Sequence, residues 1–179
     1  MKERIYTLIS EETLKGRIRE VAEQINRDYE GKTLHIICIL RGSIFFTCEI
    51  ARWLTCPVTF DFMQISSYGN HTKSTGKLEM KKDLEESIEG RDVLVVEDIL
   101  DSGRTLSMLT STLLKRNPAS LKICTLLDKP SRREYHVDVA YNCFEIEDKF
   151  VIGFGLDYAQ KYRNLQYIGV VEFVEEDEV

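Results

Sequence analysis

The sequence predicts an α/β protein: a mostly parallel, twisted sheet flanked by helices, with binding loops along one edge of that sheet. Three observations predict it. Apolar runs of strand length recur at Leu34–Leu40, Val93–Val96 and Leu121–Leu127, that of Val93–Val96 unbroken, as suits a strand covered on both faces. The first two lead through a short turn, containing Gly42 or Gly103, into an apolar pattern of helical period. The loops after these runs concentrate acids, hydroxyls and cations, and open α/β sheets bind ligands at the carboxyl ends of their strands.

Taken in order, Met1-Lys2-Glu3-Arg4 leads into mixed polar sequence with no signal segment. Ser10 can cap a helix, with Glu11 and Glu12 favourable in its first turn. Leu14, Ile18, Val21, Ala22 and Ile25 fall on one face of it, and Gly31 ends it. The strand Leu34–Leu40 follows, with His35 expected as a structural residue, then Arg41-Gly42-Ser43 and a helix over Ile44–Leu54. Pro57 opens a third strand, Val58–Ile65. Residues 66–76 are polar, rich in Gly and Ser, and without apolar periodicity, which predicts a mobile surface loop with Tyr68 its only large aromatic. Such a loop is a passive connection or a lid, and the phosphate-type turns nearby favour a lid.

Leu78–Leu84 pairs back on the preceding strand as a hairpin, and Glu85–Gly90 is a polar turn. The helix after the central strand spans Thr105–Arg116 and stops at Asn117-Pro118. Leu121–Leu127 ends in Asp128-Lys129-Pro130, so Lys129 stands at a strand's carboxyl edge; a solvated turn lysine is the plainer reading of it alone. Ser131-Arg132-Arg133-Glu134 reads as exposed loop. Short strands are expected at Val137–Tyr141 and Phe150–Ile152, a glycine-marked turn carrying Asp157 at 153–158, and a last strand at Leu165–Phe173. One domain covers 1–174; the acidic run 175–179 is expected to be a disordered tail with no implied partner.

The stretch 92–106 carries the chemistry. A buried strand runs into three carboxylates, Glu97, Asp98 and Asp101, and then into Ser102, Gly103, Arg104 and Thr105 at a helix start. Backbone N–H groups converging at a helix N-terminus suit a phosphate, and Ser102 and Thr105 add hydroxyl donors. Carboxylates beside an anion site repel it unless they meet sugar hydroxyls, a divalent cation or a proton to be removed. A phosphorylated sugar carrying Mg²⁺ supplies all three. An acidic loop capping an ordinary helix through Ser102 or Thr105 explains any one residue but not the combination. Arg41-Gly42-Ser43 repeats the plan, with Arg41 as a charged fork for a second phosphate.

The whole composition narrows the class. With 43% hydrophobic and 30% charged residues, the 179-residue chain is of the soluble globular type. The formal charge of −6 owes four units to Glu175, Glu176, Asp177 and Glu178, so the body is near neutral and no nucleic-acid partner is expected. No apolar run approaches membrane-spanning length, so no membrane partner is expected either. Five cysteines without a Cys-x-x-Cys pair point to reduced, mostly buried thiols and a cytoplasmic location. His35, His71 and His136 form no recognisable motif with any of them.

Val-Glu-Asp-Ile-Leu-Asp-Ser-Gly-Arg-Thr-Leu, residues 96–106, resembles the signature by which phosphoribosyltransferases bind phosphoribosyl pyrophosphate (PRPP). Segments from Leu34 to Val171 resemble the hypoxanthine-guanine branch in order and spacing. The resemblance implies a type I phosphoribosyltransferase fold with a small hood and a flexible loop. It implies that Glu97 and Asp98 meet the ribose hydroxyls or Mg²⁺, that Asp101 is the general base, and that Ser102, Gly103, Arg104 and Thr105 hold the 5′-phosphate. Leu40-Arg41-Gly42 resembles a pyrophosphate loop whose peptide before the basic residue is cis, and Arg163 matches a further pyrophosphate contact. Ser67 and Tyr68 resemble the pair on the closing loop. Lys129 matches the reader of the purine 6-oxygen, Phe150 the stacking residue, and Val151 a backbone contact to the base edge. Asp157, on the purine side, matches another Mg²⁺-associated acid. Arg41 and Ser43 stand where some members have lysine and glycine; a cation and a small residue are preserved.

The activity so implied is Mg²⁺-dependent salvage of 6-oxopurines by transfer from PRPP, in a homo-oligomer, dimer or tetramer. Two rivals stand beside it: a transferase for xanthine or a pyrimidine, and a PRPP-binding regulator of RNA. The second calls for a basic face that the composition does not provide.

Overall fold

A computed structural model of the chain describes residues 2–67 and 78–174. Its larger sheet has six strands: β2 (Leu34–Leu40), β3 (Val58–Ser67), β4 (Leu78–Lys82), β5 (Asp92–Leu100), β6 (Ser120–Asp128) and β7 (Tyr141–Glu145). They lie in the order β4-β3-β2-β5-β6-β7, all parallel except the β3–β4 hairpin, so the order reverses between β2 and β5. Ligands of such sheets bind at that reversal.

The apolar runs have their cause in the layers. Leu34 and Ile36 of β2 and Leu94 and Val96 of β5 face one core with helices α1 (Glu11–Asp28) and α2 (Ile44–Ala51). Ile37, Ile39, Val93 and Val95 face the opposite core with α3 (Arg104–Leu114). Leu94 is fully buried, and truncating such a residue costs about 2–5 kcal/mol. Helix α1 is built as its pattern predicts: Ser10 accepts from the Thr13 N–H, the five apolar positions are buried, and Gly31 follows three residues after its last residue with φ 73°.

A second, three-stranded sheet forms a hood. It consists of β1 (Lys2–Ile9), β9 (Ile168–Val174) and β8 (Val151–Ile152), paired antiparallel in the order β1-β9-β8. Strand β1 has no counterpart in the expectations above. Several boundaries also differ, among them α2, which ends at Ala51 rather than Leu54, and β9, which begins at Ile168 rather than Leu165. Central strand β5 continues to Leu100, so Glu97 and Asp98 lie within the ladder, paired through Glu97↔Thr125 and Ile99↔Leu127. Seventh strand β7 begins at Tyr141 rather than Val137; Val137 and Val139 pack on the second core without a ladder. Ser66 and Ser67 end β3, while the remainder of the expected loop, Tyr68 included, and the acidic tail lie outside the described residues. All five thiols are free; Cys38, Cys124 and Cys143 are buried and Cys48 is exposed. Among the described residues no helix is long and apolar enough to cross a membrane.

Candidate active site

Helices α2 and α3 begin at the carboxyl edge of the sheet, directly after β2 and β5, and neither N-cap residue makes a side-chain cap bond. Ser43 precedes α2 but its Oγ donates to the Ile39 carbonyl (2.6 Å). Gly103, with φ 81°, is the N-cap of α3, although the Ser102 Oγ before it accepts from the Arg104 N–H (3.4 Å). By contrast α1 is capped by Ser10. The first N–H of α2 and of α3 is taken, Ile44 by the Arg41 carbonyl and Arg104 by Ser102, and a helix start without a side-chain cap at its second and third N–H groups suits an anion.

Between these two starts lies a cavity of about 440 Å³, lined by Arg41, Gly42, Glu97, Asp98, Thr105, Asp157, Arg163 and apolar residues of β2, β3 and β5. A smaller one of about 90 Å³ adjoins it, lined by Glu97, Asp101, Ser102, Gly103, Thr105 and neighbours. The Leu40–Arg41 peptide is cis, as the resemblance implies. Close approach of main chain builds the larger cavity. A Cβ on Gly42 would lie 1.5 Å from Asp98 Oδ2, and one on Gly155 would lie 1.9 Å from the Gly42 carbonyl oxygen. Pyrophosphate-type loop, acidic strand end and hood turn therefore touch through two residues without side chains.

Glu97 and Asp98 sit side by side at the cavity floor. The Ile99 N–H donates to Asp98 Oδ1 (2.8 Å), and the Asp98 N–H donates to Glu97 Oε1 (3.2 Å). Burial and then the Asp98 charge push Glu97 well above the ordinary carboxyl range; burial also raises Asp98. These two carboxyls share one cavity with Arg163, whose charge acts against the rise at Asp98. From the hood, Arg163 donates to the Gly155 carbonyl (2.7 Å) and pairs with Asp157 (2.7 Å). Gln160, unmarked in the sequence, accepts from Arg41 (3.2 Å) and Arg163 (3.3 Å), and its N–H donates to Asp157 (2.8 Å).

Among the described residues no three carboxylate, His or Cys ligands converge as a ready metal cage. The donor set nevertheless fits Mg²⁺, which takes one or two carboxylates and completes its shell with waters and substrate phosphates. Glu97, Asp98 and Asp157 offer hard oxygens around one cavity between two anion sites.

Lys129 corrects the plainer expectation of a solvated turn. It is 8% exposed, and its ammonium donates to the Lys149 carbonyl (2.7 Å) and to Asp148 Oδ1 (3.4 Å). Phe150 is half exposed, edge-on to Tyr158 at 5.7 Å, with Tyr158 in turn 5.3 Å from Phe173. The adjacent Val151 is buried in β8. Asp101 lies on the turn after β5. The segment expected as free loop grips that turn. Arg132 Nε donates to Asp101 Oδ1 (3.2 Å), Arg133 donates to the Asp101 carbonyl (2.9 Å), and Glu134 and Tyr135 N–H groups donate to the Ser102 carbonyl (2.9 and 3.0 Å). Tandem arginines just after Lys129-Pro130 were the available signal for this element. Ser67 closes β3, and Tyr68 lies outside the described residues.

Residues 9–159 match the family model of the phosphoribosyl transferase domain. The chain belongs to the phosphoribosyl transferase domain family. Within it, the chain is 47% identical over 178 residues to the hypoxanthine phosphoribosyltransferase of Salmonella typhimurium, covering 98% of this chain and 100% of that protein. It is 46% identical over 171 residues to the hypoxanthine-guanine phosphoribosyltransferase of Mycobacterium tuberculosis, covering 92% and 85%. A crystal structure of a Bacillus anthracis hypoxanthine-guanine phosphoribosyltransferase, with HEPES in its active site, superposes with a TM-score of 0.89 at 43% identity, covering 96% of this chain and all of that one. The family fold, a mostly parallel sheet with a hood, is thus the fold of this chain.

Proposed function

We propose that this phosphoribosyltransferase forms purine nucleoside 5′-monophosphates from PRPP and a 6-oxopurine, hypoxanthine or guanine, releasing pyrophosphate. The observation that carries the reading is the contact of Gly42, Asp98 and Gly155, which gathers two anion sites, a pair of carboxyls and the base-side hood around one cavity.

In this reading the bond from C1′ to the pyrophosphate oxygen breaks and a bond from C1′ to a purine nitrogen forms. The α3 start, with Ser102, Gly103, Arg104 and Thr105, takes the 5′-phosphate. Arg41, Gly42 and Arg163 take the pyrophosphate and stabilise it as it leaves. Glu97 and Asp98 take the ribose hydroxyls, and with Asp157 they would hold Mg²⁺. When bound, that ion neutralises charge on the departing pyrophosphate. Phe150 supplies a face for the ring, Val151 a main-chain contact, and Lys129 a donor to the 6-oxygen. Asp101 accepts the ring proton. Ser67 and Tyr68 belong to the segment given the task of excluding water from the reacting centre.

Exposed Phe45 and Ile44 on α2 and Phe60 and Phe62 on β3 support the expectation of a homo-oligomer, dimer or tetramer. Free thiols support a cytoplasmic location. The deciding experiment incubates the protein with Mg²⁺ and PRPP and, separately, hypoxanthine, guanine, xanthine, adenine and a pyrimidine. Nucleotide from the first two supports the reading; product from adenine or a pyrimidine alone overturns it.

A further inference from the structure

We infer that Arg132 is a positioning residue that ties the two purine-reading groups, Asp101 and Lys129, into one unit through Asp148. The inference rests on the reading of those two groups given above. Four charged side chains stand in a row. Arg132 Nε reaches Asp101 Oδ1 at 3.2 Å and its Nη1 reaches Asp148 Oδ2 at 3.5 Å; Asp148 Oδ1 meets Lys129 Nζ at 3.4 Å. At the far end the Lys149 carbonyl receives a second Lys129 proton at 2.7 Å.

An inventory of donors and acceptors shows what this row leaves over. Asp101 commits Oδ1 to Arg132, which leaves Oδ2 as an acceptor. Lys129 directs two of its three N–H bonds to Asp148 and Lys149, which leaves one donor. One acceptor and one donor, each held from behind, match a purine edge presenting a ring N–H beside a 6-oxygen. Arg133 fixes the Asp101 main chain as well, so the carboxylate is constrained at both its ends.

Magnitudes separate this role from a folding role. Arg132, Asp101 and Asp148 are 53%, 47% and 51% exposed at their side chains. Ion pairs that wet contribute little to stability. Their geometry can still matter greatly, because a reacting group misplaced by a fraction of an ångström loses rate without any loss of fold. A planar fork holds two carboxylates in one fixed geometry, which the flexible point charge of a lysine reproduces poorly.

The test measures steady-state kinetics with hypoxanthine varied at saturating PRPP, and with PRPP varied at saturating hypoxanthine, for Arg132→Met, Arg132→Lys, Asp148→Asn and the double variant Arg132→Met/Asp148→Asn. Purine kcat/KM should fall about tenfold in Arg132→Met, with the PRPP KM within about twofold of the parent and Tm unmoved. Arg132→Lys should be impaired like Arg132→Met, and the double variant should lose no more than the worse single, as members of one network do. Parent-like purine kinetics in Arg132→Met, full activity in Arg132→Lys, or losses that multiply in the double variant would each overturn the inference. Asp101→Asn and Lys129→Ala serve as references. If they lower purine kinetics and Arg132→Met does not, this inference alone falls; if they too leave purine kinetics unchanged, the reading beneath it falls.

Discussion

Replacing Gly42 by alanine asks whether contact between main chain and carboxylate assembles the cavity. The new methyl carbon would stand 1.5 Å from Asp98 Oδ2 and 2.6 Å from its Cγ. Ordinary non-bonded separations are about 3.5–4 Å, so the carboxylate must retreat by about 2 Å. It can do so by side-chain rotation, at the expense of the 2.8 Å bond it accepts from the Ile99 N–H. A bond to a charged group is worth about 1.5–3 kcal/mol, which bounds the loss of stability. At about 2–4 °C per kcal/mol for a chain of this size, Tm should fall by several degrees and no more. The rate should suffer far more, because misplacing a reacting group by about 1 Å costs about 10²-fold. Gly155→Ala supplies the contrast. Its Cβ meets the Gly42 carbonyl oxygen at 1.9 Å and carbon at 3.0 Å, at φ 105°, so main chain has to move. That backbone region alone costs a side-chain-bearing residue about 1–3 kcal/mol before any clash. Thermal unfolding and initial rates with PRPP varied at saturating hypoxanthine separate the two. Gly42→Ala should stay folded with kcat/KM for PRPP down about 10²-fold, and Gly155→Ala should be the less stable protein. Parent-like kcat/KM in Gly42→Ala would refute the assignment of Asp98 to the PRPP side.

Asp101→Asn keeps size and removes proton acceptance, so kcat with hypoxanthine should drop about 10²–10⁴-fold, checked by initial rates at saturating substrates. Lys129→Ala removes a charged donor worth about 1.5–3 kcal/mol, so purine kcat/KM should fall about ten- to a hundredfold while the PRPP KM holds, and adenine should be a poor substrate for the parent. Away from the site, the Tyr141 hydroxyl and then the Lys122 ammonium hold the Asp28 carboxyl below its ordinary 3.8. A depressed folded value means stability present above the unfolded pKa and lost as pH falls through the folded one. Asp28→Asn should therefore unfold at lower temperature than the parent near neutrality, with the gap closing below about pH 3.8; a gap constant with pH would refute the account.

How legible the molecule was depended on where its interactions lie along the chain. The large sheet could be read because Val93–Val96 is an unbroken apolar run covered on both faces, and Leu34–Leu40 and Leu121–Leu127 are mostly apolar, interrupted only by His35 and by Lys122 and Thr125. Glu97, Asp98 and the turn to Thr105 could be read because acids at the end of a buried strand have no use in a core. Lys129 was ambiguous in principle: its burial comes from Asp148 and Lys149, nineteen and twenty residues on, which no local pattern reports. Arg132 and Arg133 look like solvated loop in the sequence, yet the Arg133 side chain is only 21% exposed; what matters is their grip on Asp101, thirty-one and thirty-two residues back. Gln160 carries no chemical signature, and its position between two arginines follows from the hood turn alone.

The hood marks the limit of local reading and also explains the site's division. Strand β1 opens with Lys2, Glu3 and Arg4, which obscure the strand-forming Ile5, Tyr6 and Thr7 behind them, and it pairs with β9 at the other end of the chain. Closing so long a loop gains nothing until the whole sheet forms, so no window of sequence announces the partner. Yet the hood carries Phe150, Asp157 and Arg163, and the Tyr162 hydroxyl donates to Glu3, which ties the arginine's segment to the first strand. The large sheet carries Arg41, Glu97, Asp98 and Asp101. In this reading the purine and PRPP groups arise from both sheets, which meet at the cavity through the Gly42–Gly155 contact. Rate in this reading depends on holding a purine nitrogen against a sugar carbon to within a fraction of an ångström. A side chain at either glycine would shift one sheet's groups against the other's, which is why the alanine pair, more than any change to a charged residue, tests how the two halves are aligned.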